Sequence, residues 1–260
     1  MNSNEKLDIT IKRDYLVVKA NQLIQKSRYE MSLAEQRAIA YICSMIKPVE
    51  PSPATYNAPY QLKYEFDIRE YAKICGLNLD STVYDDTRAV LKRLMLKIVE
   101  LQLPNGDDVM IAWITTAWMN KRSGKVKIQI NEYLAPYLFD LQENFTAYAL
   151  LNVLAMKSQY SIRIYEIVKS HAFKKMVTYE LDKLKRILMV DGVKSYVRFP
   201  DFRRYVLEPA MTEINEYTDL KVSYEPITKG RKVIKIKFHI NKKEAFDRFI
   251  SQTKATEEID

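Results

Sequence analysis

Glycine and histidine are scarce in this chain. Its five glycines stand singly, so the sequence contains neither a glycine-rich dinucleotide fingerprint nor the phosphate-binding loop of nucleotide-driven motors. The two histidines, His171 and His239, are too far apart in sequence to form the local pairs that bind metal in hydrolases and nicking enzymes. We therefore expect no catalytic residue, no metal ion and no cofactor.

Cysteines and long apolar runs are also few. Cys43 and Cys75 cannot build a disulfide framework or a cysteine-rich zinc site, and such usage is typical of a reducing compartment. No apolar run approaches the length of about 18 residues that crosses a membrane. Residues 1–14 are charged and polar, unlike a signal peptide. The expectation is a cytoplasmic protein without a membrane partner.

Positive charge is what the chain has in excess. Lysine and arginine number 41 against 33 aspartates and glutamates, a net charge of +8. Residues 157–243 carry 20 basic and 10 acidic residues, whereas residues 1–130 carry 19 and 15. This distribution predicts a polyanionic partner, bound mainly by the second half. With 260 residues, 47% of them hydrophobic, the chain is long enough for one or two packed domains.

The first half has the element order of a winged helix-turn-helix. Ser32 and Glu35 form a capping-box pattern ahead of a helix that ends at Lys47. A strand over 64–66, a short helix over 67–75 and a longer helix over 84–99 follow. Strands are then predicted over 101–103, 109–119 and 126–130, and the turn between Trp118 and Val126 is the predicted wing.

The second half repeats this order. Helices are predicted over 131–141, 147–156, 158–173, 180–190 and 200–217, and strands over 220–224 and 233–240. The apolar pattern of the short helix recurs at a shift of 113 residues and that of the longer helix at 116. The predicted fold is α+β: two tandem winged helix-turn-helix domains in pseudo-repeat, over 1–130 and 131–245, with a C-terminal tail over 246–260.

Basic residues at the predicted helix and wing positions are the candidate DNA-binding residues. On the helix near Pro200, Arg203 and Arg204 precede four acidic residues, so only its N-terminal end can approach DNA. Arg204 points further from the buried stripe and is the better candidate for a base contact, although both arginines also suit structural ion pairs. The wing lysines also suit an edge strand protected against aggregation. The candidates are Arg88, Lys92, Arg93, Lys121, Arg122 and Lys125 in the first domain, and Lys194, Arg198, Arg203, Arg204, Lys229, Arg231, Lys232 and Lys235 in the second.

Two proline features and one apolar segment leave alternatives open. Pro209 either kinks the long helix or makes Glu208 a fresh start. The loop over 47–60 holds four of the nine prolines and is predicted to be extended, with no assigned role. The apolar run 111–114 either offers a surface for self-association or packs, with Trp113 and Trp118, in the core.

Three segments resemble the iteron-binding plasmid replication initiators. They are residues 17–24 continuing through 33–37, residues 158–166, and residues 206–210 with 213–215 and 229–231. The resemblance spans about residues 15–242. It implies two winged-helix domains that bind double-stranded DNA with direct repeats at a plasmid origin. It also implies that monomers open the origin and recruit host replication proteins, whereas dimers joined through the N-terminal domain repress replication or handcuff origins. The second domain docks its recognition helix in a major groove, and the first adds mostly backbone contacts.

The hypothesis is therefore a sequence-specific, non-enzymatic initiator of plasmid replication. A winged-helix transcriptional regulator is the main alternative, and the DNA flanking the gene would discriminate the two. A rolling-circle nicking enzyme or a primase-polymerase is a further alternative. The absence of an H-x-H motif argues against the former, and the absence of paired carboxylates on adjacent strands argues against the latter.

Overall fold

The computed structural model describes residues 3–46, 60–103, 105–139, 141 and 144–260. Within them the chain folds into two winged-helix units that share one hydrophobic core, which confirms the predicted α+β fold. The proline-rich loop predicted over 47–60 lies, apart from Tyr60, outside the described residues.

The chain begins with three elements that the sequence patterns did not predict. They are α1 (Ser3–Arg13), β1 (Leu16–Ala20) and α2 (Asn21–Gln25). Helix α1 was not predicted because its residues are mostly polar and its three apolar residues, Leu7, Ile9 and Ile11, alternate with polar ones instead of recurring at helical spacing.

The first winged-helix unit follows. Its first helix begins at Ser32, whose side chain accepts a hydrogen bond from the Glu35 N–H while the Glu35 carboxylate accepts one from the Ser32 N–H, so the predicted capping box is confirmed. Asp67 caps the next helix. The elements are α3 (Leu33–Ser44), β2 (Lys63–Asp67), α4 (Ile68–Ile74), α5 (Val83–Leu96), β3 (Ile98–Gln102), β4 (Asp108–Ala112), β5 (Ile114–Asn120) and β6 (Lys125–Ile130).

The single strand predicted over 109–119 is wrong. The strand is interrupted at Trp113. The part before it, β4, pairs with β3 in a separate hairpin. The part after it, β5, pairs with β6 in a three-stranded sheet of order β2-β6-β5. Trp113 is buried and meets the Tyr29 ring edge to face at 5.3 Å between ring centres, and Ile111 and Ile114 are buried too. The apolar run therefore packs in the chain's own core and offers no surface for a second copy, whereas Trp118 is half exposed.

A connecting segment returns to the start of the chain. It consists of a 3₁₀ turn (Glu132–Leu134), α6 (Ala135–Leu138), β7 (Phe145–Ala149) and α7 (Leu151–Leu154). The helix predicted over 147–156 is wrong in its first part, because β7 pairs antiparallel with β1 and buries Thr146 and Tyr148 on one side. That partner lies about 130 residues away, beyond the reach of a local pattern.

The second winged-helix unit repeats the element order and spacing of the first. Shifting β2 and α4 by 113 residues gives the bounds of β8 and α9, and shifting the start of α5 by 116 gives the start of α10. The sheet order β8-β10-β9 matches β2-β6-β5. The elements are α8 (Gln159–Ser170), β8 (Met176–Glu180), α9 (Leu181–Ile187), α10 (Phe199–Phe202), a π-helical turn (Arg203–Leu207), α11 (Glu208–Tyr217), β9 (Leu220–Lys229), β10 (Lys232–Lys242) and α12 (Ala245–Ile259).

A buried charge cluster joins α8 to the first third of the chain. The Glu166 carboxylate lies 2.6 Å from the Lys19 Nζ of β1 and 3.1 Å from an Arg163 Nη. Tyr148 donates a hydrogen bond to the same carboxylate at 2.6 Å, and Arg163 donates one to the Tyr29 hydroxyl at 2.6 Å. Burial alone raises the pKa of Glu166, but the two cations outweigh it and lower that pKa to about 2.

The segment expected as a tail is α12, which crosses from the second unit to the first. Lys243 holds its start by donating to the Thr218 carbonyl and the Ser251 hydroxyl. At its end, Asp260 pairs with Arg13, whose guanidinium also donates to the Ile74 carbonyl at the end of α4. None of the helices in the described ranges is long and apolar enough to span a membrane.

Candidate nucleic-acid interface

The second helix-turn-helix is held together by a buried lysine, Lys185. Lys185 of α9 donates hydrogen bonds to the carbonyls of Tyr196 (2.7 Å) and Val197 (3.0 Å) in the turn that leads to α10. Its Nζ also lies 5.3 Å from the centre of the Phe202 ring. Burial lowers the pKa of this lysine. Lys185 thus fixes the angle between α9 and the helix that follows, and that angle decides what α10 presents to solvent.

The long helix predicted over 200–217 is confirmed as one continuous helix, with a π-helical turn inside it. Helix α10, the π-helical turn and α11 follow each other without a gap, and Phe202, Arg203, Leu207 and Glu208 all have right-handed helical backbone angles. Pro209 has no N–H to donate to a carbonyl of the preceding turn, and the wider π-helical turn lies directly before it, where the Glu208 N–H donates to the Arg203 carbonyl. The structure therefore has no fresh start at Glu208; a π-helical turn accommodates the proline.

The two arginines of this turn have different surroundings. The Arg203 Nε donates to the Glu208 carboxylate at 2.7 Å, a hydrogen bond that raises the arginine's pKa and directs its side chain along the helix. Arg204 is exposed and forms no ion pair within the described part of the chain; its Cζ lies 5.3 Å from the centre of the Tyr205 ring. The interpretation as a structural ion-pair partner therefore fits Arg203, whereas Arg204 is exposed and has no acidic partner in the described residues.

Other candidates of the second unit surround the start of α10. Lys194 is exposed on a 3₁₀ turn, and the exposed Arg198 precedes α10 with its Nε 3.4 Å from Asp201. A concave surface of about 1010 Å³ lies between α9, this turn and β10. It brings together residues separated in sequence: Lys185, Arg186, Arg198, Arg231 and Lys232.

The wing hairpin divides into a free tip and a paired stem. Lys229, Arg231 and Lys232 are exposed around the tight turn at Gly230. Lys235 lies further along β10, opposite Glu180 of β8, and its Nζ is 2.7 Å from that carboxylate. The structure thus groups three of the four predicted wing cations at the tip and gives Lys235 an acidic partner.

The first unit presents a weaker basic surface. Arg88 and Lys92 are exposed one turn apart on α5, but the helix begins with Asp85 and Asp86. Arg93 is turned toward the buried Glu35, with 2.8 Å between its Nε and the carboxylate, so it neutralises an interior charge.

The first wing contacts α5, the helix of its own unit. Arg122 and Lys125 are exposed, whereas the Lys121 Nζ lies 3.8 Å from Asp85 and 5.3 Å from the Tyr84 ring centre. Lys121 therefore offsets one of the acidic groups that would repel DNA at the start of α5.

Two exposed cations on α9 were not among the candidates. The buried stripe Leu181, Leu184 and Ile187 leaves Lys183 and Arg186 on the outer face. Their positions follow from helical spacing, so the signal was present in the sequence. Arg28 was also not among the candidates. One of its Nη atoms lies 3.8 Å from the Asp191 carboxylate, so it joins the first half of the chain to the loop after α9. No local sequence pattern predicts this contact.

The described residues do not form a metal-binding site. Across the described ranges, no group of three or more histidine, cysteine, aspartate or glutamate side chains is placed to hold a metal ion.

Comparison with known proteins finds similarity to initiator replication proteins. A family model described as "Initiator Replication protein, WH1" matches residues 16–169, and "Initiator Rep protein, WH2" matches residues 180–240. The chain is 26% identical over 216 residues to a "Replication initiation protein" of Escherichia coli, covering 80% of this chain and 65% of that protein. It is 30% identical over 190 residues to the "PI protein" of Escherichia coli, covering 66% of this chain and 61% of that one. It therefore spans somewhat less than two thirds of each of these relatives.

A solved structure supports the same architecture. The Pi initiator protein in complex with iteron DNA superimposes with a TM-score of 0.70 at 22% sequence identity, covering 89% of this chain and 99% of that one. At this identity the likeness establishes the fold, two winged-helix units in tandem.

Proposed function

Because this chain belongs to the initiator replication protein family, we propose that it initiates plasmid replication by binding direct repeats, or iterons, in origin DNA. Opening of the origin and recruitment of host replication proteins are the further steps of this proposal. The observation that carries it is the basic concave surface around α9, the start of α10 and the second wing tip. Cations from three elements converge there beside the N-terminal end of a recognition helix, the arrangement with which winged helices meet a major groove.

The two units divide the work. In the second, Arg204 faces solvent at the start of the recognition helix while Glu208 and the acidic residues after it lie further along, so only the helix start enters the groove. In the first, Asp85 and Asp86 occupy the corresponding helix start, which disfavours base contacts. Arg88, Lys92, Arg122 and Lys125 suit phosphate contacts instead. This division supports sequence readout by the second unit and backbone contacts by the first.

Self-association through the first half belongs to the proposal, but on a different surface from 111–114. The β3-β4 hairpin presents Ile98 and Met110 on its outer face, and Leu96 is exposed just before it. In the described residues β4 has β3 as its one strand partner. An apolar strand with an unpaired edge is a typical site for pairing with a second chain.

Selection from a random-sequence DNA library tests the function. The full chain should enrich one sequence, and several copies of that sequence should lie beside the gene. If about six phosphates are neutralised, log K should fall with log salt at a slope near −5.

A plasmid carrying the gene and these repeats should replicate in a host that cannot otherwise maintain it. Enrichment with transcriptional repression but no replication would favour the regulator alternative. Metal-dependent nicking or nucleotide incorporation would contradict a non-enzymatic initiator.

A further inference from the structure

Arg204 and Tyr205 meet although they are consecutive on a helix. Neighbouring residues point about 100° apart around a helix axis, so their side chains do not normally face each other. The Arg204 Cζ nevertheless lies 5.3 Å from the centre of the Tyr205 ring, within the range of a cation–π interaction. The guanidinium therefore lies beside the neighbouring ring rather than extending freely into solvent.

The π-helical turn holds this pair at the surface. Phe202, Val206 and Leu207 are buried beneath it, whereas Tyr205 is 52% exposed despite its large apolar ring. Arg203, on the other side, is engaged by Glu208. Of the side chains in the turn, Arg204 and Tyr205 are thus the pair that reaches outward from the start of the recognition helix.

We propose that Tyr205 is a positioning residue for base recognition, holding Arg204 in the orientation that reads a guanine. This inference rests on the proposed function. The five N–H donors of a guanidinium lie in its plane, and a cation–π interaction engages its charge without using a conventional hydrogen bond. The edge remains available for the two acceptors, O6 and N7, that guanine presents in the major groove. Ordering the arginine beforehand reduces the conformational entropy lost on binding.

Three single variants of the full chain test the ring. The probes are the duplex enriched from the random library and a scrambled duplex of equal composition. Tyr205→Phe keeps the aromatic face and should bind the enriched duplex within about twofold of wild type. Tyr205→Leu removes it and should weaken that binding about five- to thirtyfold while changing the scrambled duplex less than twofold. Tyr133→Leu, at an exposed tyrosine of the connecting segment, is the matched control and should change neither.

A double-mutant cycle separates positioning from direct contact. If Tyr205 acts through Arg204, then Arg204→Ala with Tyr205→Leu should bind no more weakly than Arg204→Ala alone, and both single variants should relax preference at the same base pair. Losses that multiply, or a Tyr205→Phe loss as large as that of Tyr205→Leu, would overturn the inference, because the tyrosine would then contact DNA by itself. Failure of the wild-type chain to enrich any sequence would defeat the proposed function, and this inference with it.

Discussion

At the scale of single residues, the carboxylate of Glu166 shows how strongly the interior depends on matched charge. It is 1% exposed and is satisfied by Lys19, Arg163 and Tyr148 together. Glu166→Gln removes the anion and leaves two buried cations without a counter-charge, so we expect a loss of about 3–5 kcal/mol in the free energy of unfolding. Denaturant unfolding measures it. Glu132→Gln, at an exposed glutamate, is the control and should stay within about 0.5 kcal/mol of wild type.

The same carboxylate gives the stability an acid dependence of defined sign. Its pKa is lowered from 4.5 to about 2 in the folded chain, so the stabilisation is present above about pH 4.5 and is lost as the pH falls toward 2. Unfolding curves across that range should show a steeper acid loss for wild type than for Glu166→Gln. Parallel curves would contradict the role given to the buried ion pairs.

The second wing separates two lysines that the sequence treats alike. Lys232 is exposed at the tip, whereas Lys235 is paired with Glu180. Lys232→Ala should weaken binding to enriched and scrambled DNA equally and reduce the salt slope by about one. Lys235→Ala should change the slope less, because its charge is already partly neutralised. Salt titrations on both duplexes provide the measurement, and an equal slope change for the two variants would show that Lys235 leaves Glu180 for a phosphate.

At the scale of elements, local patterns predicted what is local. The capping box at Ser32 and the wing turns depend on residues a few positions apart. So does the apolar pattern within each helix, which recurs at shifts of 113 and 116 residues. The structure bears all of these out. The pairing of β1 with β7 and the break at Trp113 depend on partners far along the chain, so no window of sequence contains their cause. The candidate DNA-binding residues are predicted in part by local patterns and in part only by the fold. Spacing places Arg204 on the surface, but only the fold reveals that Arg93 turns inward to Glu35.

The β3-β4 hairpin makes self-association an element-scale prediction. Met110 is 73% exposed on its outer face. Met110→Glu should weaken dimerisation of the full chain, because it places a charge in the middle of the proposed apolar contact. Sedimentation over a concentration series measures this. Phe173→Glu, at a residue of the second half that is 74% exposed, is the matched control and should leave the association unchanged. A stronger effect of the control would place the contact in the second half.

At the scale of the whole molecule, α12 connects the two units, and Gly76 shows how closely. A Cβ added at Gly76 would lie 2.5 Å from the Ile259 Cγ2 and from its carbonyl oxygen, at a φ of +64°. Gly230 has a φ of +61° with nothing within 4 Å, so it reports the backbone strain alone. Gly230→Ala should cost about 1–2 kcal/mol, and Gly76→Ala about 1–3 kcal/mol more. Denaturant midpoints measure both. Equal costs would mean that α12 is not seated on α4 in solution.

The antiparallel pairing of β1 with β7 also sets an order of events in time. During synthesis, residues 16–20 emerge early, but their strand partner, residues 145–149, emerges only after the whole first winged helix, and Glu166, which neutralises Lys19, later still. Until then β1 keeps an unpaired edge, and Lys19 has to remain hydrated rather than enter the core. Contacts so distant in sequence slow folding, since the intervening chain must close as a loop first. Strand β1 therefore reaches its final environment only when the chain has entered the second unit, so the start of the chain matures together with the second unit rather than before it.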